Sequence, residues 1–189
     1  MTVLESVRSC VDLQVPYDLP VFGMTERFDA RYAGLTYSRY LRDAEALVET
    51  QLLAIERFGW DWAWLHVDDL MEFEPLGLVL AYPEDAPPAV AQRPVLSRRS
   101  VRGAPSLDPM RTGRLPVLLE AISALRSARG DLTCVTGRVA APFTGVTTLF
   151  GLAETLGVLE SDPRLLSEAL KLSERVALGE SLDSTLWRT

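Results

Sequence analysis

The chain has 189 residues, 48% hydrophobic and 24% charged, which is the composition of a globular protein long enough for one hydrophobic core. Its formal net charge of −7 would repel nucleic acid and anionic membrane surfaces, so neither is an expected partner. Residues 1–15 lack the pattern of a secretory signal, and no run of about 18 apolar residues occurs, so we expect a cytoplasmic protein.

Cysteine and histidine are too few and too far apart to indicate a disulfide framework or a metal site. Cys10, His66 and Cys134 show none of the short spacings that metal-binding pairs have. We therefore expect free, buried thiols and no metal.

The first predicted elements are a strand, a helix and a second strand. Residues 19–24 (LPVFGM) form a short apolar run that favours a buried strand. From Ser38, apolar residues recur every three or four positions, which indicates an amphipathic helix capped by Ser38 and ended by Gly59. Residues 60–67 (WDWAWLHV) are aromatic and apolar and predict the second strand.

Residues 82–110 are rich in proline, which indicates either a functional excursion or a segment with small strands of its own. A helix beginning near Pro116 and ending at Gly130 follows, and then a strand at residues 132–136. The last two predicted elements are a helix over residues 145–160, weakened by two glycines, and a helix that starts at the Asp-Pro pair of residues 162–163 and ends at Gly179.

This alternation of strands and helices predicts an α/β fold with a parallel sheet, whose strands bind ligands at their carboxyl ends. Asp68 and Asp69 follow the second strand and are candidates for such a site, although an aspartate there is as often a helix cap. A position on a solvated surface is a sufficient explanation for Glu72 and Glu74. His66, inside an apolar run, is more often a buried histidine than a base.

Three stretches of the chain together resemble the uroporphyrinogen decarboxylase superfamily. They are DWAWLHVDDLMEFEPLG, the helix containing PVLLEAI, and the segment from GRVAAPFT to SDPRLLSEAL. That superfamily contains the decarboxylases of heme biosynthesis and cobalamin-dependent methyltransferases. The resemblance covers roughly residues 17–179.

The resemblance implies a TIM barrel with a pocket at the strand ends. Asp68 matches the aspartate that, in the decarboxylases, stabilises the positive charge formed as an acetate side chain of the tetrapyrrole loses carbon dioxide, which is chemistry that needs no cofactor. For an enzyme of this kind, His66, Asp69 and Glu74 are further candidates for the pocket.

Three further residues, all after the strand at residues 132–136, are implied at the same pocket. Phe143 and Thr144 would line its wall, and Arg138 would contact a substrate carboxylate. Helix entry explains Phe143 and Thr144 equally well, and a solvated position explains Arg138.

Two features depart from the decarboxylase pattern. Where the decarboxylases have an arginine-rich signature, this chain has MTERFD at residues 24–29, in which only Arg27 could stand in. The E-x-E-x-L-G element at residues 72–77 is closer to the methyltransferase branch, whose zinc ligands lie in the second half of the barrel.

A complete barrel has eight strands and about 250 residues, so the sequence predicts an incomplete TIM barrel with about three or four parallel strands and flanking helices. Residues 1–179 would be the N-terminal part of the barrel, with an excursion at residues 82–110 and an unrelated tail at residues 180–189. Three interpretations remain: an enzyme that needs a partner chain or a second copy to supply the missing half, an inactive fragment, or a module that binds a tetrapyrrole or corrinoid.

Overall fold

The computed structural model describes residues 2–65, 67–130 and 132–179, which form two compact units. The first unit contains the chain as far as Val67, together with Pro83–Pro87 and Val117–Arg138. The second contains Asp68–Tyr82, Pro88–Pro116 and residues 139–179. The predicted tail at residues 180–189 lies outside the described residues.

Helices make up most of the regular structure. The described helices are α1 Val3–Val11, α2 Arg27–Tyr32, α3 Tyr37–Tyr40, α4 Ala44–Phe58, α5 Arg98–Arg102, α6 Leu115–Arg129, α7 Pro142–Phe150, α8 Leu152–Ser161 and α9 Pro163–Leu178. The described strands are β1 Trp62–Leu65, β2 Val79–Ala81, β3 Ala89–Gln92 and β4 Cys134–Gly137.

The first unit is built on β1 and β4, which pair in parallel with Trp62 opposite Cys134. These strands confirm the two predicted at residues 60–67 and 132–136. Helix α4 contributes buried apolar side chains to this unit and ends at Gly59, whose φ of +66° is the left-handed conformation that favours glycine. The prediction that Ser38 caps this helix is wrong, because the helical conformation is interrupted between α3 and α4. The residue that caps α4 is Asp43, whose side chain accepts a hydrogen bond from the amide of Ala46 at 3.1 Å.

Residues 19–24 are not a strand, so the prediction of a buried strand there is wrong. Asp61 donates its amide to the carbonyl of Val21, but the amide of Val21 binds the side chain of Asp61 at 2.9 Å instead of a backbone carbonyl. Backbone hydrogen bonding of the kind that pairs β-strands therefore cannot continue beyond Val21 and Asp61. The described residues therefore contain two parallel strands, and the prediction of three or four was wrong in number.

The second unit contains an antiparallel pair, β2 with β3, and the helices α5, α7, α8 and α9. The proline-rich excursion thus has a small strand and a helix of its own. The core of the unit is formed by apolar side chains from the turn after Asp68, from the excursion and from α7 and α9. Its most buried large members are Phe73, Val146, Leu149, Phe150 and Leu172.

The predicted single helix over residues 145–160 is wrong, because α7 and α8 meet at Gly151, with φ +99°, and are bent by 111°. No described helix is by itself long and apolar enough to cross a membrane, and α7 with α8 meets that criterion only as a bent pair, by length and composition. Helix α9 begins as predicted, with the side chain of Asp162 accepting from the amide of Leu165 at 3.2 Å.

Both cysteines are free, as predicted, but only one is buried. Cys134 lies in β4, where burial raises the pKa of its thiol. Cys10 is exposed at the end of α1, so the prediction that it is buried is wrong. A helix over residues 3–11 accounts for this position, because its only buried residue is Ser6.

Candidate active site

The chain turns immediately after β1, and Asp68 stabilises the turn. Its Oδ1 atom accepts a hydrogen bond from the amide of Leu70 at 2.8 Å. A side chain that binds the backbone two residues on is a common way for aspartate to fix a turn. The helix-cap interpretation considered from the sequence is therefore wrong, because this bond closes a turn and the helical turn that follows begins only at Glu74.

Asp68 also forms a buried ion pair with Arg114. Arg114 donates from Nη1 to Oδ2 at 2.5 Å and from Nη2 to Oδ1 at 3.3 Å. The side chain of Asp68 is 4% exposed and that of Arg114 is 10% exposed. A two-point contact of this kind fixes both the position and the orientation of the carboxylate.

Glu74 and Tyr82 complete a group that we call the Arg114 cluster, consisting of Asp68, Glu74, Tyr82 and Arg114. Arg114 donates from Nε to Oε2 of Glu74 at 3.1 Å, and the Tyr82 hydroxyl donates to Oε1 of Glu74. The guanidinium carbon of Arg114 lies 5.4 Å from the centre of the Tyr82 ring. One arginine thus links two carboxylates and packs on an aromatic ring.

The cluster is negatively charged overall. Burial by itself lowers the pKa of Arg114, but the hydrogen bond and charge of Asp68 raise it, and the net effect is a pKa above the ordinary value. Burial and the hydrogen bond to Glu74 raise the pKa of Tyr82 to about 12, so its hydroxyl stays protonated at neutral pH. Two carboxylates and one guanidinium give a formal net charge of −1.

Local backbone geometry brings these residues together. Glu74 begins a single 3₁₀ turn, Glu74–Leu76, which ends at Gly77 in the left-handed region. Gly113 has φ +58°, and a Cβ atom there would lie 3.2 Å from Cγ of Pro75. Glycine therefore lets the chain approach the 3₁₀ turn closely, and the next residue along is Arg114.

Of the residues predicted from the sequence, the structure brings together Asp68 and Glu74. Asp69 is exposed, and Phe143 and Thr144 are exposed on the first turn of α7, as the helix-entry interpretation expected. Arg138 belongs to the first unit. His66 lies outside the described residues.

The interpretation of Glu72 and Glu74 as a solvated surface was wrong. Glu74 binds Arg114 and Tyr82, and the Glu72 carboxylate accepts from the amide of Ala140 at 3.1 Å. Sequence reasoning also missed Arg114 and Tyr82 entirely. The available signal for Arg114 was a single arginine between Gly113 and the first apolar residues of α6.

A second buried polar cluster lies in the first unit. Oδ2 of Asp29 accepts from Oγ1 of Thr25 at 2.6 Å and from Nε2 of Gln51 at 2.9 Å, and Gln51 also donates to the Tyr40 hydroxyl. Burial raises the pKa of Asp29.

Among the described residues, no three acidic, histidine or cysteine side chains are arranged to hold a metal ion.

Comparison with known proteins identifies relatives of this chain. The family model for uroporphyrinogen decarboxylase (URO-D) matches residues 15–178. A uroporphyrinogen decarboxylase from Anaeromyxobacter sp. (strain Fw109-5) is 29% identical over 138 residues, which is 67% of this chain and 39% of that protein.

Among solved structures, a methyltransferase from Methanosarcina mazei has the same fold, with a TM-score of 0.82 at 19% identity. The match covers 93% of this chain and 53% of the methyltransferase. The chain therefore spans about two fifths of the length of the curated relative and about half that of the structural one. Because the family model matches most of its length, the chain belongs to the uroporphyrinogen decarboxylase family.

Proposed function

We propose that this chain is the N-terminal part of a uroporphyrinogen decarboxylase-like TIM barrel that decarboxylates a tetrapyrrole-type substrate without a cofactor. Asp68 is the catalytic residue in this proposal, and a second chain completes the barrel. The observation that carries it is the Arg114 cluster, in which a carboxylate at the end of β1 is buried and held by two contacts to one arginine.

The charge of the cluster suits this reaction. Loss of carbon dioxide from an acetate side chain proceeds through a positively charged pyrrole, and a fixed negative charge lowers the energy of that state most where water is excluded. Arg114 neutralises only one of the two carboxylates, which leaves the formal charge of −1. In the proposal, Arg114 positions Asp68, while Asp69, Glu74 and the first-turn residues of α7 contact the substrate.

The second candidate function is that of a cobalamin-dependent methyltransferase-like protein. The structural likeness to a methyltransferase favours it, as does the E-x-E-x-L-G element at residues 72–77, which is closer in sequence to the methyltransferase branch. A module that only binds a tetrapyrrole or corrinoid uses the same cluster without the chemistry.

Binding of the two ligand classes separates these candidates without requiring the rest of the barrel. The full chain is titrated with uroporphyrin and, separately, with hydroxocobalamin, and the visible absorbance of each is followed. We expect uroporphyrin to bind, and Asp68→Asn to weaken binding at least tenfold. The matched control is Asp108→Asn, the same change at an aspartate of the second unit whose side chain is 45% exposed, and it should have little effect.

Each other outcome has a defined meaning. Binding of hydroxocobalamin alone replaces the proposal with the methyltransferase-like function. Binding of neither ligand, in a chain shown to be folded by circular dichroism, overturns both. If uroporphyrin binds, incubation with uroporphyrinogen and chromatography of the oxidised products then tests for loss of carboxyl groups.

A further inference from the structure

Three consecutive residues of the turn after β1 each contact a different part of the second unit. Glu74 belongs to the Arg114 cluster, where it binds Arg114. Phe73 is buried in the core of the unit, and Oε2 of Glu72 accepts a hydrogen bond from the amide of Ala140. The Arg114 cluster is therefore joined, through two neighbouring residues, to the segment that leads into α7.

The backbone of this turn explains why the two glutamates reach different partners. The amide of Glu74 donates to the carbonyl of Leu70 at 2.9 Å, which is the hydrogen bond of a helical turn. Side chains two positions apart on such a turn point in different directions. Glu74 therefore reaches Arg114, while Glu72 reaches Ala140, 68 positions further along the chain.

The amide that Glu72 binds lies in an irregular and buried segment. Residues 139–141 have no regular secondary structure, and Ala140 is only 7% exposed. A backbone amide with so little access to water needs a partner inside the protein. A carboxylate accepts a stronger hydrogen bond than a neutral oxygen does, so Glu72 is well suited to hold this segment in one place.

In the described chain, no side chain caps the first turn of α7. The N-cap residue is Ala141, whose methyl group cannot accept a hydrogen bond, and Pro142 has no amide to donate. The hydrogen bond from Ala140 to Glu72 is one residue before this N-cap. It therefore fixes the point at which the chain enters the helix.

A second contact holds the same helix one turn later. A Cβ atom at Gly145 would lie 2.7 Å from Cζ of Phe73, so the ring of Phe73 lies directly against the backbone of α7. Apolar packing of this kind is non-directional, and it sets the distance of the helix from the turn. A hydrogen bond also has a preferred direction, so the bond to Glu72 sets the position of α7 along its axis.

We propose that Glu72 is a positioning residue for the candidate active site. Its carboxylate holds the start of α7 in place relative to the turn that carries Asp68 and Glu74. This role rests on the proposed function, in which the first turn of α7 contacts the substrate. Glu72 does not touch the substrate itself and acts through the amide of Ala140.

Two substitutions test whether the hydrogen bond matters. Glu72→Gln keeps an oxygen that can accept from the amide of Ala140, whereas Glu72→Met keeps the length of the side chain and offers only a weakly accepting sulfur. We expect Glu72→Met to weaken uroporphyrin binding about tenfold and Glu72→Gln to stay within about threefold of the natural sequence. The matched control is Glu160→Met, the same change at an exposed glutamate of α8, and it should leave binding unchanged.

Hydrogen exchange at the amide of Ala140, measured by nuclear magnetic resonance, tests the contact without a ligand. We expect exchange to be about tenfold faster in Glu72→Met than in the natural sequence and nearly unchanged in Glu72→Gln and Glu160→Met. All variants are compared where circular dichroism shows them to be folded. If Glu72→Met folds poorly, Glu72→Asp replaces it, because it withdraws the carboxylate by about 1.5 Å, the length of one carbon–carbon bond, and the same losses are expected.

The two measurements together decide between positioning and simple capping. Unchanged exchange at Ala140 in Glu72→Met overturns the proposal. Faster exchange with unchanged uroporphyrin affinity also overturns it, because Glu72 then only stabilises the end of α7. A Glu72→Gln variant as weak as Glu72→Met counts against it too, since the charge would then matter more than the hydrogen bond.

Failure of the proposed function gives a different result. If the natural sequence binds hydroxocobalamin instead of uroporphyrin, the same variants are compared with hydroxocobalamin, and the same losses are expected. If it binds neither, the proposed function is refuted, and the exchange rates alone decide whether Glu72 holds the start of α7.

Discussion

Replacing Arg114 with methionine tests whether the Arg114 cluster is a buried, interdependent unit. The substitution keeps most of the side-chain volume but removes the guanidinium from both Asp68 and Glu74. Removing one partner of a buried ion pair destabilises a protein by about 3–5 kcal/mol, because the remaining charge stays buried without compensation. With Asp68 only 4% exposed, we expect Arg114→Met to fall in that range.

Urea denaturation followed by far-ultraviolet circular dichroism measures this loss. At a denaturant dependence of about 2 kcal/mol per M, the expected change lowers the midpoint by about 2 M. The matched control is Arg102→Met, because Arg102 also binds one carboxylate at two points, from Nε and Nη2 to Glu168 at 2.9 Å each, but on the surface. An exposed pair contributes little, so the control midpoint should hardly move.

The double variant separates charge from packing. If the loss comes from an unpaired buried carboxylate, adding Asp68→Asn to Arg114→Met should restore part of the stability, since the charge has then been removed as well. Equal midpoints for Arg114→Met and Arg102→Met would refute the reasoning. So would a double variant that is less stable than Arg114→Met alone.

Three further predictions concern other parts of the chain. Gly145→Ala should destabilise the protein by about 1–3 kcal/mol, because the new Cβ would lie 2.7 Å from Cζ of Phe73. Gly157→Ala, in α8, has open space around it and should stabilise the protein by about 0.5–1 kcal/mol. Thermal melts that rank the two variants in the opposite order would contradict this packing. Because burial raises the pKa of Asp29 above 3.8, the folded state binds its proton more tightly, so its contribution to the free energy of unfolding falls as the pH rises from about 3.8 through the raised value. Asp29→Asn should lack that component in urea titrations across pH, and an unchanged profile would count against it. Absorbance at 295 nm should show Tyr82 ionising near pH 12, a step that disappears in Tyr82→Phe, and its persistence would mean that another tyrosine titrates there.

Features that depend on neighbours in sequence were predictable. Gly59, Pro116 and the aspartate-proline pair at residues 162–163 end or begin helices through local backbone preferences, and the structure has helix boundaries at each. The strands β1 and β4 were also found, because short apolar runs between turn residues leave few alternatives. In the candidate site, Asp68 was found by its position after a predicted strand.

Features that depend on distant parts of the chain were not predictable. Arg114 is 46 residues from Asp68, and no periodicity links the two. Residues 19–24 have the composition of a buried strand, but whether they are buried depends on what covers them. Gly151 and Gly157 were both recognised as weak points of one helix, yet only Gly151 has a positive φ and breaks it.

The parallel pairing of β1 with β4 determines when the first unit can form during synthesis. Ala63 and Thr136, which share a hydrogen bond across the pair, are 73 positions apart. At 5–20 residues per second a ribosome needs about 4 to 15 s to make the intervening chain, whereas a helix forms in about a microsecond. During those seconds β1, with Trp62 and Trp64, has no partner strand to pair with, and this time is long enough for aggregation to compete with folding. We expect a nascent chain stalled before β4 to be captured by chaperones and digested by protease within β1, and one stalled well after Gly137 to resist both.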